Sequence, residues 1–392
     1  MGRRIFHLIG LAVALGAAAS VGRRAEELPK NGSPPLERIL VIAPHCDDEV
    51  LAAGEYIFNS LGRGQKIKVV VMTNGDGYRI AEMLAERRIL STPKDFIEFG
   101  VQRQKESTEA LGILGLKPED ATFLGLPDRG LDDIWRRFLS PSNPYRSPYT
   151  KASAVPYSNA YEPGSSYDAT TIINQLQRIL DDFQPTEIIY PMPHDAHPDH
   201  WATHAFVEYI LERGNRARMG GRLKERMYLV HRGAKWPWPR GENLNNTLAP
   251  PNDLLNIGYQ WEAIYADADA IQQKLRAIQA YRTQELTLHK YLHSFARRNE
   301  LFANPIASTP EWVPGPIEAS VVIPPWLRNL PPIIVDPVGD TVSRDLQKSA
   351  DFSSVSAAEN EDSLFLLIRT ARNIPITTRY EVDIKIYDDL TL

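Results

Sequence analysis

Two short stretches of this 392-residue chain concentrate the side chains that could do hydrolytic chemistry. One is His45-Cys46-Asp47-Asp48-Glu49; the other is His194-Asp195-Ala196-His197-Pro198-Asp199-His200, with His204 one turn beyond. Imidazole and carboxylate are donors that zinc takes, and a catalytic zinc site uses three of them while keeping a position for water. One His and one Asp of the first stretch with one His of the second would make that set, leaving a carboxylate as base and an imidazole as electrophile. Taken alone, the acidic run reads as a helix start that caps its own first turn, and a His-x-x-His arises by chance. Both together, each directly after a buried-strand pattern, favour a metal site.

The elements that position these residues follow from periodicity. Short apolar runs at Arg38 to Ala43, Ile67 to Met72, Ala121 to Leu124 and Glu187 to Tyr190 read as strands. They alternate with helical patterns at Glu49 to Leu61, Gln102 to Leu114, Thr170 to Phe183 and Trp201 to Arg213. This alternation predicts an α/β domain over residues 36–305: a Rossmann-like, mostly parallel sheet with helices on both faces. Both chemical stretches then fall in loops after the carboxyl ends of strands, where open parallel sheets place their sites.

Residues 131–167 break the pattern with Trp135, Tyr145, Tyr149, Tyr157, Tyr161 and Tyr167 interleaved with five prolines. A long insertion of this kind is either surface decoration or a functional wall, and its rings would suit sugar faces. Past a helix at Ala268 to Arg282, eight prolines fall between Pro310 and Pro337. Strand-like runs at Leu364 to Ile368 and Tyr380 to Tyr387 then predict a small C-terminal all-β domain over 312–392.

Composition narrows the function. With 43% hydrophobic and 24% charged residues the chain can build a core, and a net charge of −5 argues against nucleic acid as a partner. The single cysteine excludes intrachain disulfides and multi-cysteine zinc modules. Residues 1–25 open with Arg3-Arg4, continue apolar from Ile5 to Ala19 and end in small residues, the pattern of a signal peptide or signal anchor. The expectation is export: periplasmic, secreted, or anchored outside the cytoplasm, with membrane contact only through this segment if it is uncleaved.

Ala43-Pro44-His45-Cys46-Asp47-Asp48-Glu49 and His197-Pro198-Asp199-His200 resemble the two signature motifs of the LmbE-like, or PIG-L, zinc-dependent N-acetylglucosaminyl de-N-acetylase family. Thr73-Asn74-Gly75-Asp76, Arg103 with Glu106, Leu124-Gly125-Leu126-Pro127-Asp128, and Ala280 to Gln284 extend the resemblance to about residues 37 to 290. It implies removal of the N-acetyl group from an N-acetylglucosamine-containing glycan or glycoside, an N-acetylated amino sugar being the partner. It also implies one Zn2+ per chain on His45, Asp48 and His200, activating a water for attack, with Asp47 as general base. By the same resemblance His197 stabilises or protonates the tetrahedral intermediate, Asp199 orients His197, and Arg103 and Asp128 stand near sugar hydroxyls or form a helix-to-loop ion pair.

The sequence departs from the family at Cys46, where the commonest motif has proline; a buried thiol that packs is expected there rather than a soft ligand. His204 is an alternative ligand or a core residue, and His194 takes no role. Two competing readings stand beside this one. A non-catalytic glycan-binding protein would need neither Asp47 nor His197, and a phosphoesterase-type metallohydrolase would normally hold two metals.

Overall fold

The computed structural model describes residues 37–85, 91–215, 223–233, 236–255, 259–305, 311–313, 329–335, 352–360 and 364–370. The expected signal segment at 1–25 and the run Tyr380 to Tyr387 lie outside the described residues. Among the described residues no helix is long and apolar enough to cross a membrane. The chain divides into two compact units, one of Gly32–Ala249 with Trp261–Asn304, the other including Pro305 onward and Pro250–Gln260.

In the larger unit Arg38–Ala43 forms β1, whose residues Ile39 to Ala43 are buried, as a strand covered on both faces requires. Beside it Lys66–Thr73 (β2), Ala121–Leu126 (β3), Glu187–Pro191 (β4) and Lys224–Tyr228 (β5) run parallel in the order β3-β2-β1-β4-β5. Asn299–Pro305 (β7) pairs antiparallel with β5, and Tyr259–Tyr265 (β6) closes that edge. The strand order reverses between β1 and β4, so the loops after these two strands open on one crevice. These are the loops that carry the two chemical stretches.

The helices are Asp48–Gly62 (α1), Arg79–Ala85 (α2), Pro93–Ile113 (α3), Leu131–Arg137 (α4), Ala169–Phe183 (α5), Pro198–Ile210 (α6), Ala268–Gln279 (α7) and Arg282–Leu292 (α8). They form two packed groups, with α1 and α3 against α7, and α4 and α5 against α6. The sequence placed the start of α3 nine residues late. Thr92 Oγ1 accepts from Asp95 N at 3.3 Å and Asp95 Oδ2 accepts from Thr92 N at 2.7 Å, so a capping box followed by Pro93 starts the helix early. The helix expected over Ala268 to Arg282 stops at Gln279, and α8 begins separately at Arg282.

The aromatic insertion is neither decoration nor a wall of exposed rings. It opens with α4, and none of its Trp, Tyr or Phe rings is exposed. Tyr157 donates its hydroxyl to Asp76 Oδ2 at 2.6 Å and Tyr167 to Gly125 O at 3.3 Å, so the segment braces the ends of β2 and β3. In the smaller unit Phe352–Glu359 (β10) pairs antiparallel with Leu364–Thr370 (β11) and Ile334–Val335 (β9), and parallel with Glu311–Trp312 (β8).

Candidate metal and catalytic site

The chain leaves β1 through Pro44 and His45 and reaches Asp47 at φ 145°, ψ −32°, a conformation that costs a non-glycine residue on the order of 1–3 kcal/mol. Asp47 stands at the N-cap of α1, and its carbonyl accepts from Val50 N and Leu51 N. The acidic run does open the helix, but the Asp47 carboxylate makes no capping bond. Instead the strained turn is held from outside. Arg103 of α3 donates to Cys46 O at 2.7 Å and Gly75 O at 3.0 Å, and Glu49 Oε2 accepts from Asp47 N at 3.0 Å. Glu49 is itself fixed by Tyr281 and Ser107.

This geometry turns Asp48 towards two imidazoles. Asp48 Oδ2 lies 3.1 Å from His45 Nδ1 and 2.9 Å from His200 Nε2. Ligand bonds of ~2.0–2.1 Å at tetrahedral angles would separate donor atoms by ~3.3 Å. Each imidazole is backed on its far nitrogen: His45 Nε2 meets Asp199 Oδ2 at 3.1 Å and Asp128 Oδ1 at 3.2 Å, and His200 Nδ1 meets Asp195 Oδ2 at 3.1 Å. Carboxylates behind imidazoles are the usual support of metal-bound histidine. Neither nitrogen of the fully buried His200 has hydrogen-bond geometry among the described residues, which suits a ligand better than a donor. His45, His197 and His200 also place one nitrogen each within 4.8 Å of one another.

The charge balance points the same way. Asp47, Asp48, Asp128, Asp195 and Asp199 are all buried around these rings. Burial, then the neighbouring charge of Asp48, pushes the Asp47 carboxyl up to about 8. Burial opposes charge on Asp48 too, but His200 and His45 outweigh it and hold this carboxyl far below the usual range. On His45 the burial cost is overcome by Asp128, Asp199 and Asp48, so its pKa rises well above the ordinary value. Five buried carboxylates around these rings leave a surplus of negative charge that a bound cation would offset.

His197 differs from its expected state. Burial and the adjacent His45, His200 and His231 press its pKa down to about 2, so the resting ring is neutral. Its Nδ1 accepts from Asp199 N at 3.2 Å, which leaves the hydrogen on Nε2. The Asp199 carboxylate does not orient His197. Oδ2 takes His45 Nε2 and Arg129 N, and Oδ1 accepts from Leu131 N at 3.1 Å, tying α6 to the loop before α4. Arg103 is buried and engaged with backbone carbonyls and Asp47, so it positions the loop rather than meeting sugar hydroxyls. Asp128 supports His45 and accepts from Gly77 N at 3.0 Å. His204 faces Pro191 O and stacks on Tyr190, a packing role, and Cys46 is fully buried.

Residues 40–211 match the sequence model of the PIG-L family, described as GlcNAc-PI de-N-acetylase. The chain carries a PIG-L (LmbE-like) deacetylase family domain. It is 26% identical over 304 residues to the 1D-myo-inositol 2-acetamido-2-deoxy-alpha-D-glucopyranoside deacetylase of Mycobacterium sp. (strain KMS), covering 72% of this chain and 87% of the relative. The enzyme of the same description from Mycobacterium sp. (strain JLS) is 29% identical over 181 residues, covering 45% and 51%. Among solved structures, a deacetylase of the teicoplanin biosynthesis pathway is 18% identical, with a TM-score of 0.45, covering 69% of this chain and 98% of the other.

The sequence motifs left two site residues without a role, Asp195 within the matched PIG-L residues and His231 beyond them. Asp195 accepts from His197 N, Val230 N and His231 N, each at 2.9 Å, besides meeting His200. His231, three residues past β5, lies edge-on to His200 with ring centroids 4.6 Å apart, and its Nδ1 is 3.2 Å from Asp195 Oδ1. The signal that could have found it is the rule that served for β1 and β4: a histidine just beyond the carboxyl end of a parallel strand.

Proposed function

We propose that the chain is a metal-dependent hydrolase that removes the N-acetyl group from an N-acetylglucosamine-containing glycan or glycoside. His45, Asp48 and His200 would hold one Zn2+. The observation that carries this reading is the convergence of His45 Nδ1 and His200 Nε2 on Asp48 Oδ2, each ring with a carboxylate behind it. The family match and the relatives' activity on an acetamido-glucopyranoside support the substrate class. An ion bound there supplies a water of lowered pKa and polarises the acetyl carbonyl.

The chain's own residues do the rest. Asp47 would be the general base once a cation on His45, Asp48 and His200 offsets the burial and Asp48 charge that raise its carboxyl. Its side chain keeps 12% exposure, makes no cap bond and among the described residues has a 3.5 Å contact with Arg103, so its oxygens could then take the proton of the attacking water. His197, neutral with hydrogen on Nε2, donates to the developing oxyanion without first gaining a proton. Asp195, Asp199 and Asp128 fix the ligand rings, and Arg103 holds the strained turn that presents Asp47. The exported location remains part of the proposal, resting on the N-terminal segment, and points to envelope or extracellular glycans.

Asp47→Asn separates chemistry from metal binding. The variant is expected to keep its zinc and to lose ~10²–10⁴-fold in acetate release from N-acetylglucosamine glycosides, the range of a general base. An active Asp47→Asn protein would defeat the assignment.

A further inference from the structure

Away from this pocket, α8 and the turn that ends it carry a second set of donors. Glu285, His289 and His293 recur every four residues, so all three share one face. One donor atom from each lies within 4.8 Å of the others. The carboxylate sits between the two rings, with Oε1 3.0 Å from His293 Nε2 and Oε2 2.5 Å from His289 Nδ1. The ring centroids are only 4.0 Å apart, a separation that two imidazolium cations would resist.

We propose that Glu285, His289 and His293 form a second metal site, for a borderline divalent transition ion such as Zn2+. An independent observation concerns His293, which is 3% exposed and whose buried Nδ1 makes no hydrogen bond among the described residues. Rings buried this deeply normally have both nitrogens engaged. Nε2 faces Glu285 at 3.0 Å, while Glu242 Oε2 stands 3.8 Å from Nδ1, beyond hydrogen-bond reach, so the ring offers Nε2 to the cluster. The donor set, two imidazoles and one carboxylate, selects against magnesium and calcium, which take oxygen ligands.

The site would clamp the end of α8 to the segment carrying Glu242, where Gly241 N already donates to Lys290 O at 2.8 Å and Ser294 Oγ at 2.9 Å. The same helix carries Tyr291, which donates to Val230 O at 2.6 Å and stacks 6.0 Å from His231. An ion on α8 therefore steadies the helix that backs His231 without touching the reacting groups.

The test is zinc uptake by the metal-stripped full-length chain, counted by native mass spectrometry and by competition with a chromophoric chelator. His289 has 61% of its side chain exposed, so His289→Ala leaves the core intact. It is expected to take up one equivalent less than the wild type, with α8-site affinity weakened by at least the roughly 10–100-fold that losing an outer-shell partner costs. Glu285→Gln should do the same, while His45→Ala keeps the α8 equivalent. Wild-type uptake by both His289→Ala and Glu285→Gln would overturn the proposal, whatever the catalytic pocket holds.

Discussion

Asp195 offers a demanding test of how the catalytic pocket is built, because its side chain ties both histidine-bearing loops to a proposed ligand. Oδ1 accepts from His197 N at 2.9 Å; Oδ2 accepts from Val230 N and His231 N at 2.9 Å and lies 3.1 Å from His200 Nδ1. Asp195→Asn keeps the shape but replaces one acceptor with an NH2 group. Every rotamer turns that group at a backbone N–H, leaving at least one buried donor unsatisfied at a cost of ~1–3 kcal/mol. With the amide oxygen kept towards His200, the ring loses the carboxylate charge that stands 3.1 Å behind its Nδ1. Zinc affinity is then expected to fall ~10–100-fold, about 1.4–2.7 kcal/mol. Competition with a chromophoric chelator measures the affinity, and chemical denaturation of the metal-free protein measures the stability loss. A variant that binds zinc within about twofold of the wild type would refute the idea that Asp195 supports a ligand through His200.

Two further outcomes follow from buried groups. Cys46→Ala should leave metal content unchanged and cost only ~1 kcal/mol of stability, because the fully buried thiol packs while its backbone carbonyl, which holds Arg103, is retained; loss of metal would make Cys46 a ligand. Burial pushes the Glu55 carboxyl up to about 8, Lys274 opposing and Glu300 adding to the shift. The folded state thus binds this proton more tightly than the unfolded chain, a stabilisation present below the unfolded value of ~4.3 and lost as pH rises through about 8. Glu55→Gln keeps the neutral form, so its stability relative to the wild type should climb between roughly pH 4 and 8 in denaturant titrations; a flat difference would count against the assignment.

The parts of the fold that were legible in the sequence are those where one residue class dominates. β1 is wholly apolar after Arg38, and its bounds were read without error because a strand buried on both faces leaves no polar interruption. β5 was missed for the opposite reason. Lys224-Glu225-Arg226 opens it, and Arg226 is buried only because Glu187 on β4 and Glu262 on β6 accept its charge. Likewise Glu300 sits inside β7 because Lys274 of α7 meets it at 2.9 Å. Such pairs come from elements far apart in the chain, so no local window contains the reason for either partner.

At the site, residue types and spacing pointed to one His and one Asp of the first stretch with one His of the second, and it was the family resemblance that assigned these to His45, Asp48 and His200. The local pattern could not say which nitrogen each ring turns inward, nor that Asp199 serves His45 rather than His197. Those facts depend on the reversal of strand order between β1 and β4, which brings the two loops together. His231 follows a strand that the sequence hid, and its role stayed hidden with it.

Acetate release from an N-acetylglucosamine glycoside, measured before and after metal is stripped and Zn2+ is restored, tests the central claim most directly. The account predicts that acetate release disappears on stripping, returns with zinc in the wild type, and does not return in Asp48→Asn. Release that survives complete metal removal, or a wild-type chain that frees no acetate from any N-acetylated amino sugar at any zinc concentration, would contradict it.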